Sequence, residues 1–161
     1  VAPRGSEAVK GKIIGGTLAG VLLASAALIA PWEGYSAKPY KDIVGVVTVC
    51  YGATHNVEQR TYSREECDAI LRTDIGRHLN GVAQCIQHPL KENEWVAVTS
   101  WTFNVGVSAA CGSTLVRKIN AGQPSSVWCG ELLRWNRAGG KVVRGLTNRR
   151  KAEYAICVGQ K

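Results

Sequence analysis

EGYSAKPYKDIVGVVTVCYGATHN occupies residues 33–56, and its reading decides the fold. Tyr, Val, Thr and Gly dominate it, and the piece IVGVVTVCYG reads as short β-strands around a glycine turn. Three side chains in it carry chemistry. Glu33 closes an apolar run and is flanked by Trp32 and Tyr35, where partial desolvation favours a protonated carboxyl. Asp42 sits in turn-and-strand sequence beside Lys41, a more solvated place that keeps a carboxylate ionised. Thr48 follows six residues later. The period of two along an extended strand puts it on the face of Asp42. Glycoside hydrolysis requires an acid that protonates the leaving oxygen and a second group that activates water or attacks the sugar. A Glu/Asp pair in isolation is more often two solvated surface charges, so spacing and context must carry the assignment.

Downstream the pattern turns helical. Ser63-x-x-Glu66 is a capping box ahead of CDAILRTDIGRHL. Pro89-Leu90-Lys91 precedes NEWVAVTSWTFNVG, an apolar stretch of helical length. STLVRKIN (113–120) reads as a short amphipathic helix stopped by Ala121-Gly122. Pro124-Ser125-Ser126 opens another that runs through Trp135. Gly139-Gly140 is a turn, and TNRRKAEYAIC (147–157) is the terminal helix. A small β element followed by a mainly helical body predicts an α+β domain.

Upstream, residues 13–30 read IIGGTLAGVLLASAALIA, 18 residues without a charge, after Arg4, Lys10 and Lys12. At roughly 1.5 Å per residue this run just reaches across a hydrocarbon core. The flanking positive charges keep its N-terminus cytoplasmic. Ten of its residues are Gly, Ala, Ser or Thr and only eight are Ile, Leu or Val. At roughly −0.5 kcal/mol each, those eight give about −4 kcal/mol for insertion, so the span is weakly held. Three readings stay open: a cleaved signal peptide with Ala24-Ser25-Ala26 as its small-residue site, a permanent anchor, and a buried core helix. The Gly11/Gly15 and Gly16/Gly20 spacings suit close helix packing. The chain therefore divides into an N-terminal segment, 1–31, and a catalytic domain, 32–161.

The formal net charge is +8, from 20 Lys+Arg against 12 Asp+Glu. That balance favours an anionic partner such as a membrane surface or an acidic cell wall. It equally describes a solvated, soluble surface. No nucleic-acid motif is present, so nucleic acid is not expected as a partner. Cys50, Cys67, Cys85, Cys111, Cys129 and Cys157 form neither CxxC nor a Cys/His ligand group, so no metal and no cofactor are expected. Their even number beside an apolar leader suits disulfides in an oxidising compartment, with six reduced thiols as the alternative. Six cysteines allow fifteen pairings, and spacing does not choose among them.

The pattern Glu33-x8-Asp42-x5-Thr48 resembles the Glu-Asp-Thr signature of the phage-type lysozymes, glycoside hydrolase family 24. KPYKDIVGVVTVCYG is similar to that family's hairpin motif. TYSREECDAIL, WTFNVG, STLVRKINAG and RWNRAGGKVVRGLTNRRKAEY follow in the family's order, across nearly all of 33–157. The resemblance implies a lysozyme-like fold, a small β-hairpin lobe and a larger helical lobe with a cleft between them. It implies an N-acetylmuramidase that hydrolyses the β-1,4 bond between N-acetylmuramic acid and N-acetylglucosamine in peptidoglycan, causing host lysis. Glu33 would be the general acid, Asp42 the partner carboxylate, and Thr48 the residue that positions water. Phe103, Asn104 and Ser113 match substrate-binding positions, with core packing or capping as their alternatives. His55 reads as a surface-loop histidine. Arg144, Arg149 or Arg150 would orient Glu33.

The apolar segment resembles the signal-anchor-release segment of endolysins from lambdoid phages. That implies export by the host secretion machinery, an inactive form held in the inner membrane through residues 13–30, and release as an active periplasmic monomer. After release, 13–30 is expected to pack as one or two helices bent near Gly15-Gly16 or Gly20. The pairing carried forward is Cys50–Cys67, Cys85–Cys111 and Cys129–Cys157, as static staples or, for Cys50, as a thiol switch. A lytic transglycosylase, and a non-catalytic cationic wall- or membrane-binding protein, are the competing readings.

Overall fold

The computed structural model describes residues 9–160. The part of the 1–31 segment before residue 9, Arg4 included, lies outside the described residues. Val9 and Lys10 are helical and residues 11–12 turn into strand β1 (Ile13–Ile14), followed by helix α1 (Leu18–Ile29) and a 3-10 turn (Ala30–Trp32). The hairpin β2 (Ser36–Lys41) and β3 (Val47–Cys50) comes next, then α2 (Arg64–Ala83) and the short strand β4 (Leu90–Lys91). The helical body continues through α3 (Glu92–Val105), α4 (Val107–Cys111), α5 (Thr114–Asn120) and α6 (Ser125–Trp128). A 3-10 stretch (Cys129–Arg134), the hairpin β5 (Arg137–Ala138) and β6 (Lys141–Val142), and α7 (Arg144–Cys157) complete it. The architecture is α+β, as the patterning predicts.

The centre is α3. Every residue from Glu94 to Thr102 is buried, so this helix has no solvent face over that span. A helix buried on all sides has to be wrapped, and α7, α1 and α2 pack around it. Trp95 and Trp101 are its largest buried side chains, and Trp128 joins them in the same core. The capping box that starts α2 forms as read: Ser63 Oγ accepts from the Glu66 amide at 3.1 Å, and Glu66 Oε2 accepts from the Ser63 amide at 2.7 Å. Three disulfides join Cys50 to Cys67, Cys85 to Cys111 and Cys129 to Cys157. The first ties the β2–β3 hairpin to α2, and the last ties the 3-10 stretch to the end of α7.

The segment 13–30 holds one helix with a break at Gly15, within the expectation of one or two helices bent there, but its start is not helical. Ile13 and Ile14 form a parallel pair with Leu90 and Lys91 instead. The Lys12 carbonyl accepts from the Leu90 amide and from Trp95 Nε1, both at 2.9 Å. Gly15 then takes a left-handed φ of 66°, which ends the strand. A helix starts only beyond Thr17, whose hydroxyl accepts from the Gly20 amide at 2.9 Å. Gly20 lies inside α1. The buried stripe of α1 is narrow, Val21, Ser25 and Ile29, at the i, i+4, i+8 spacing of one helix face. Residues 9–31 thus share a core with the body: Val9 and Val21 pack with Trp95, and Ile29 packs with Leu71 and Ile75. Among the described residues, no helix is long and apolar enough to cross a membrane.

A second departure follows Pro124. The expected helix to Trp135 ends at Trp128, and residues 129–134 tighten into 3-10 geometry. Gly130, a weak helix former, sits at that change.

Candidate active site

Glu33 is placed by the backbone that precedes it. The 3-10 turn 30–32 has Pro31 near its start and closes on Glu33, whose amide donates to the Ala30 carbonyl at 3.3 Å. The chain then runs extended toward β2, and the carboxyl turns to the helical body. There Glu33 Oε1 accepts from Arg149 Nη1 at 2.8 Å. The Arg149 side chain is 5 % exposed and that of Glu33 is 24 % exposed. The carboxyl therefore keeps one side to solvent while a buried guanidinium holds the other. Of the three arginines considered, Arg149 faces Glu33. Arg150 is buried against Glu153, and Arg144 is exposed at the start of α7. Trp32 and Tyr35 do not form the apolar pocket expected around Glu33. Both are more than a third exposed, and the Tyr35 ring packs on Tyr51 and under the Arg64 guanidinium.

Asp42 and Thr48 do not share one strand. The chain reverses between them in a three-residue loop, Ile43-Val44-Gly45, with Gly45 at φ 83°. That is a common tight hairpin form, an ordinary turn closed by a left-handed residue. Asp42 holds it together: its Oδ1 accepts from the Val44 and Val46 amides, each at 2.9 Å. Its own amide donates to the Val46 carbonyl. Thr48 pairs across the hairpin with Tyr40. Opposed residues of an antiparallel pair share a face, and Asp42 is two residues past Tyr40. The common face is therefore reached through cross-strand register rather than along a strand. Thr48 is 5 % exposed, and its hydroxyl donates to the Val46 carbonyl at 3.0 Å. The oxygen of that hydroxyl is left free to accept.

The remaining sequence candidates separate. Phe103 is half-buried, its ring 4.9 Å from His78, and it packs on the cluster of Ile29, Leu71 and Ile75. Asn104 is exposed and lines a hollow of about 380 Å³ with Trp135 and Arg137. Ser113 caps α5. Its hydroxyl accepts from the Val116 amide at 3.1 Å and donates to the Ala110 carbonyl at 2.6 Å. With 6 % exposure and both bonds made, it is a structural cap. His55 is exposed and lines a hollow of about 400 Å³ beside α2 with Glu58, Arg60, Asp74 and Arg77. Neither hollow is lined by Glu33, Asp42 or Thr48.

Two residues around Arg149 escaped the sequence reading. Glu153 Oε1 accepts from Ser100 Oγ at 2.7 Å, Arg150 Nη2 at 3.0 Å and Arg149 Nε at 3.3 Å. Its Oε2 lies 2.7 Å from Arg150 Nε, an ionic contact off the line of a hydrogen bond. Burial pushes the Glu153 carboxyl up from its ordinary range, against the pull of both arginines and the Ser100 hydroxyl. Burial likewise pulls the Arg150 guanidinium down. The signal was present in RRKAE: Glu153 stands at i+4 from Arg149 and i+3 from Arg150, the spacings at which helix side chains meet.

The sequence model of the phage lysozyme family matches residues 30–153. A SAR-endolysin of Enterobacteria phage P21 is 39% identical over 159 residues, 94% of each chain. A SAR-endolysin of Bacteriophage PS119 is 37% identical over 165 residues, covering 98% of this chain and 96% of that one. Among solved structures, a P22 lysozyme variant superposes with a TM-score of 0.76 at 27% identity, covering 84% of this chain and 95% of that one. The muramidase domain of SpmX from Asticaccaulis excentricus gives 0.75 at 26% identity, with the same coverage.

Proposed function

The chain belongs to the phage lysozyme family and has a lysozyme-like α+β fold, and from that premise we propose that it is a peptidoglycan N-acetylmuramidase. The observation that carries this reading is the Glu33–Arg149 pair, a part-exposed carboxyl held on one side by a buried guanidinium. Glu33, in its protonated form, donates to the oxygen of the bond between N-acetylmuramic acid and N-acetylglucosamine. Positive charge then grows on the sugar ring, and Asp42 stabilises it and takes a proton from the attacking water. Thr48 orients that water. Its hydroxyl proton is committed to the Val46 carbonyl, so its oxygen accepts from the water and turns a water lone pair toward the anomeric carbon. Once Glu33 has given up its proton, Arg149 stabilises the carboxylate left behind.

The test is the Glu33→Gln variant on purified murein. The parent releases new reducing ends, and the variant loses at least about 100-fold in rate while still sedimenting with murein. Anhydro-muramic ends from the parent identify a lytic transglycosylase instead. Clearing of murein by the variant removes Glu33 as the acid.

The same reading extends to residues 13–30. The two SAR-endolysins align over nearly the whole chain, and the segment is free of charge. The protein is exported, held inactive in the host inner membrane through this segment, and released into the periplasm. Only Pro31 and Trp32 separate the segment from Glu33. While residues 13–30 are in lipid, the 3-10 turn cannot seat Glu33 against Arg149, and displacements near 1 Å cost roughly 100-fold. Fractionation before and after membrane depolarisation tests this: protein moves from the membrane to the soluble fraction as lytic activity appears. Protein soluble throughout overturns the anchor.

A further inference from the structure

Arg149 is held on three edges. Nη1 donates to Glu33, Nη2 to the Ser100 carbonyl at 3.4 Å, and Nε to Glu153. A guanidinium is planar with its donors in a fixed fork, so three partners on different edges leave it no freedom to turn. Two of the three come from behind the site: Glu153 and Ser100 are fully buried. Glu153 therefore touches no glycan, yet its carboxylate shares one guanidinium with the proposed acid.

We propose that Glu153, with Ser100, is a positioning residue for the glycosidic reaction: it fixes the plane of Arg149 and offsets its charge. Arg149 then aims the Glu33 carboxyl while favouring its ionised form less than an unopposed guanidinium would. This rests on the muramidase reading of Glu33. A lone buried guanidinium would be free to turn and would also favour the ionised form of Glu33, which cannot donate a proton. A second carboxylate on the far edge eases that conflict. With Glu33 protonated, Arg149 and Arg150 share the one carboxylate of Glu153, which offsets part of the Arg149 charge. The groups facing Glu153 are Arg149 and Arg150 from its own helix and Ser100 from α3. Glu131, on the neighbouring 3-10 stretch, is taken up by Lys118 and Arg134.

The experiment is the pH–rate profile of murein hydrolysis by the full chain and its Glu153→Gln variant. An acid catalyst works only while protonated, so activity falls on the alkaline limb as the acid ionises. Removing the Glu153 charge favours ionisation, and the alkaline limb moves to lower pH by about one unit. The rate at optimum falls several-fold with KM unchanged. A purely structural role lowers activity at every pH and leaves the limb in place; that result overturns the proposal. If Glu153→Gln does not accumulate folded, Ser100→Ala takes its place. Loss of the hydroxyl donor makes Glu153 easier to protonate, which moves the limb the same way by a smaller amount, and an unmoved limb again overturns the proposal. No new reducing ends from the parent sinks the muramidase reading and this inference together. A parent that hydrolyses normally beside an unmoved limb sinks the inference alone.

Discussion

Helices α1 and α7 both pack on α3 and both contribute to the placing of Glu33, yet they are built from opposite materials. Helix α1 has no charged side chain and delivers Glu33 through the chain, three residues past the 3-10 turn's first residue, Ala30. Helix α7 delivers Arg149 through space and buries Arg149, Arg150 and Glu153 along one side. Buried ions need every partner in place, so α7 fits only one environment. An uncharged helix with a narrow buried stripe asks for little and is tolerable in lipid as well as in a protein groove. The contrast teaches that one half of the site is built from buried charges with specific partners, and the other half is an uncharged segment, the half that the proposed release from the membrane would deliver.

The strongest way to break the charged half is Arg149→Ala. It leaves Glu153 buried beside one arginine and Glu33 unheld. The expected loss is about 3–5 kcal/mol of stability and on the order of 100-fold in activity, read by chemical denaturation and murein hydrolysis. Arg149→Lys sharpens the result. A single ammonium keeps the charge but cannot reach Glu33, Glu153 and the Ser100 carbonyl together. Stability should recover for the most part while activity stays low. Equal recovery of both would mean that charge alone suffices and the three-edged grip does nothing.

Next comes the covalent clamp on α7. Replacing Cys129 and Cys157 together by alanine opens a link across 28 residues. The chain-entropy cost is roughly 3.5 kcal/mol. Global stability should fall by that amount, and local protection from hydrogen exchange should fall further at the C-terminal end of α7 than in α1. Helix α1 itself carries no disulfide.

These two halves were not equally legible in sequence. The strand character of IVGVVTVCYG, the capping box at Ser63 and the spacing of Glu33, Asp42 and Thr48 are local signals, and local chemistry decides them. The partner of Glu33 was not, because 116 residues separate it from Arg149 and three arginines carried the same local pattern. Glu153 was missed since a Glu in an RRKAE run normally marks a solvated helix face. Only the wrapping of α3 by α7 turns that face inward. The start of residues 13–30 was misread for a similar reason. Periodicity of an apolar run does not reveal that Ile13-Ile14 will find Leu90-Lys91 as a strand partner. Thr48 was placed on the right face by the wrong route, along one strand instead of across a hairpin.

The docking of α1 on α3 has its own weak point, at two glycines. Glu92 of α3 reaches the start of α1, where its Oε2 accepts from the Thr17 amide at 3.1 Å. A Cβ on Gly16 would lie 2.6 Å from the Glu92 Cβ, which is rooted in its helix. A Cβ on Gly20 would meet only the Glu92 carboxylate, at 2.8 and 2.9 Å, and that end can swing away. Gly16→Ala should therefore cost about 1–3 kcal/mol. Gly20→Ala gains up to about 1 kcal/mol of helix propensity and loses the Thr17–Glu92 bond, worth about 1 kcal/mol. Its melting temperature should stay near that of the parent. A reversed order would place the close contact at the wrong end of α1.

The smallest effect on the fold makes the finest test of the two-environment account. Leu23 is 68 % exposed on α1, so in this fold its side chain contributes almost nothing by burial. Leu23→Lys should leave stability within about 0.5 kcal/mol, as surface changes usually do, and leave murein hydrolysis by the folded chain unchanged. In lipid the same residue stands near the middle of residues 13–30. There the change replaces roughly −0.5 kcal/mol by about +3 kcal/mol, nearly the whole of the insertion energy that the eight aliphatic residues supply. Membrane-held protein should then be lost, and lytic activity should appear early without depolarisation. An apolar side chain left in water by the folded state is accounted for if the segment has a second environment to satisfy. If Leu23→Lys is retained in the membrane like the parent, the uncharged character of α1 belongs to its packing on α3 alone, and the contrast with α7 loses its functional meaning.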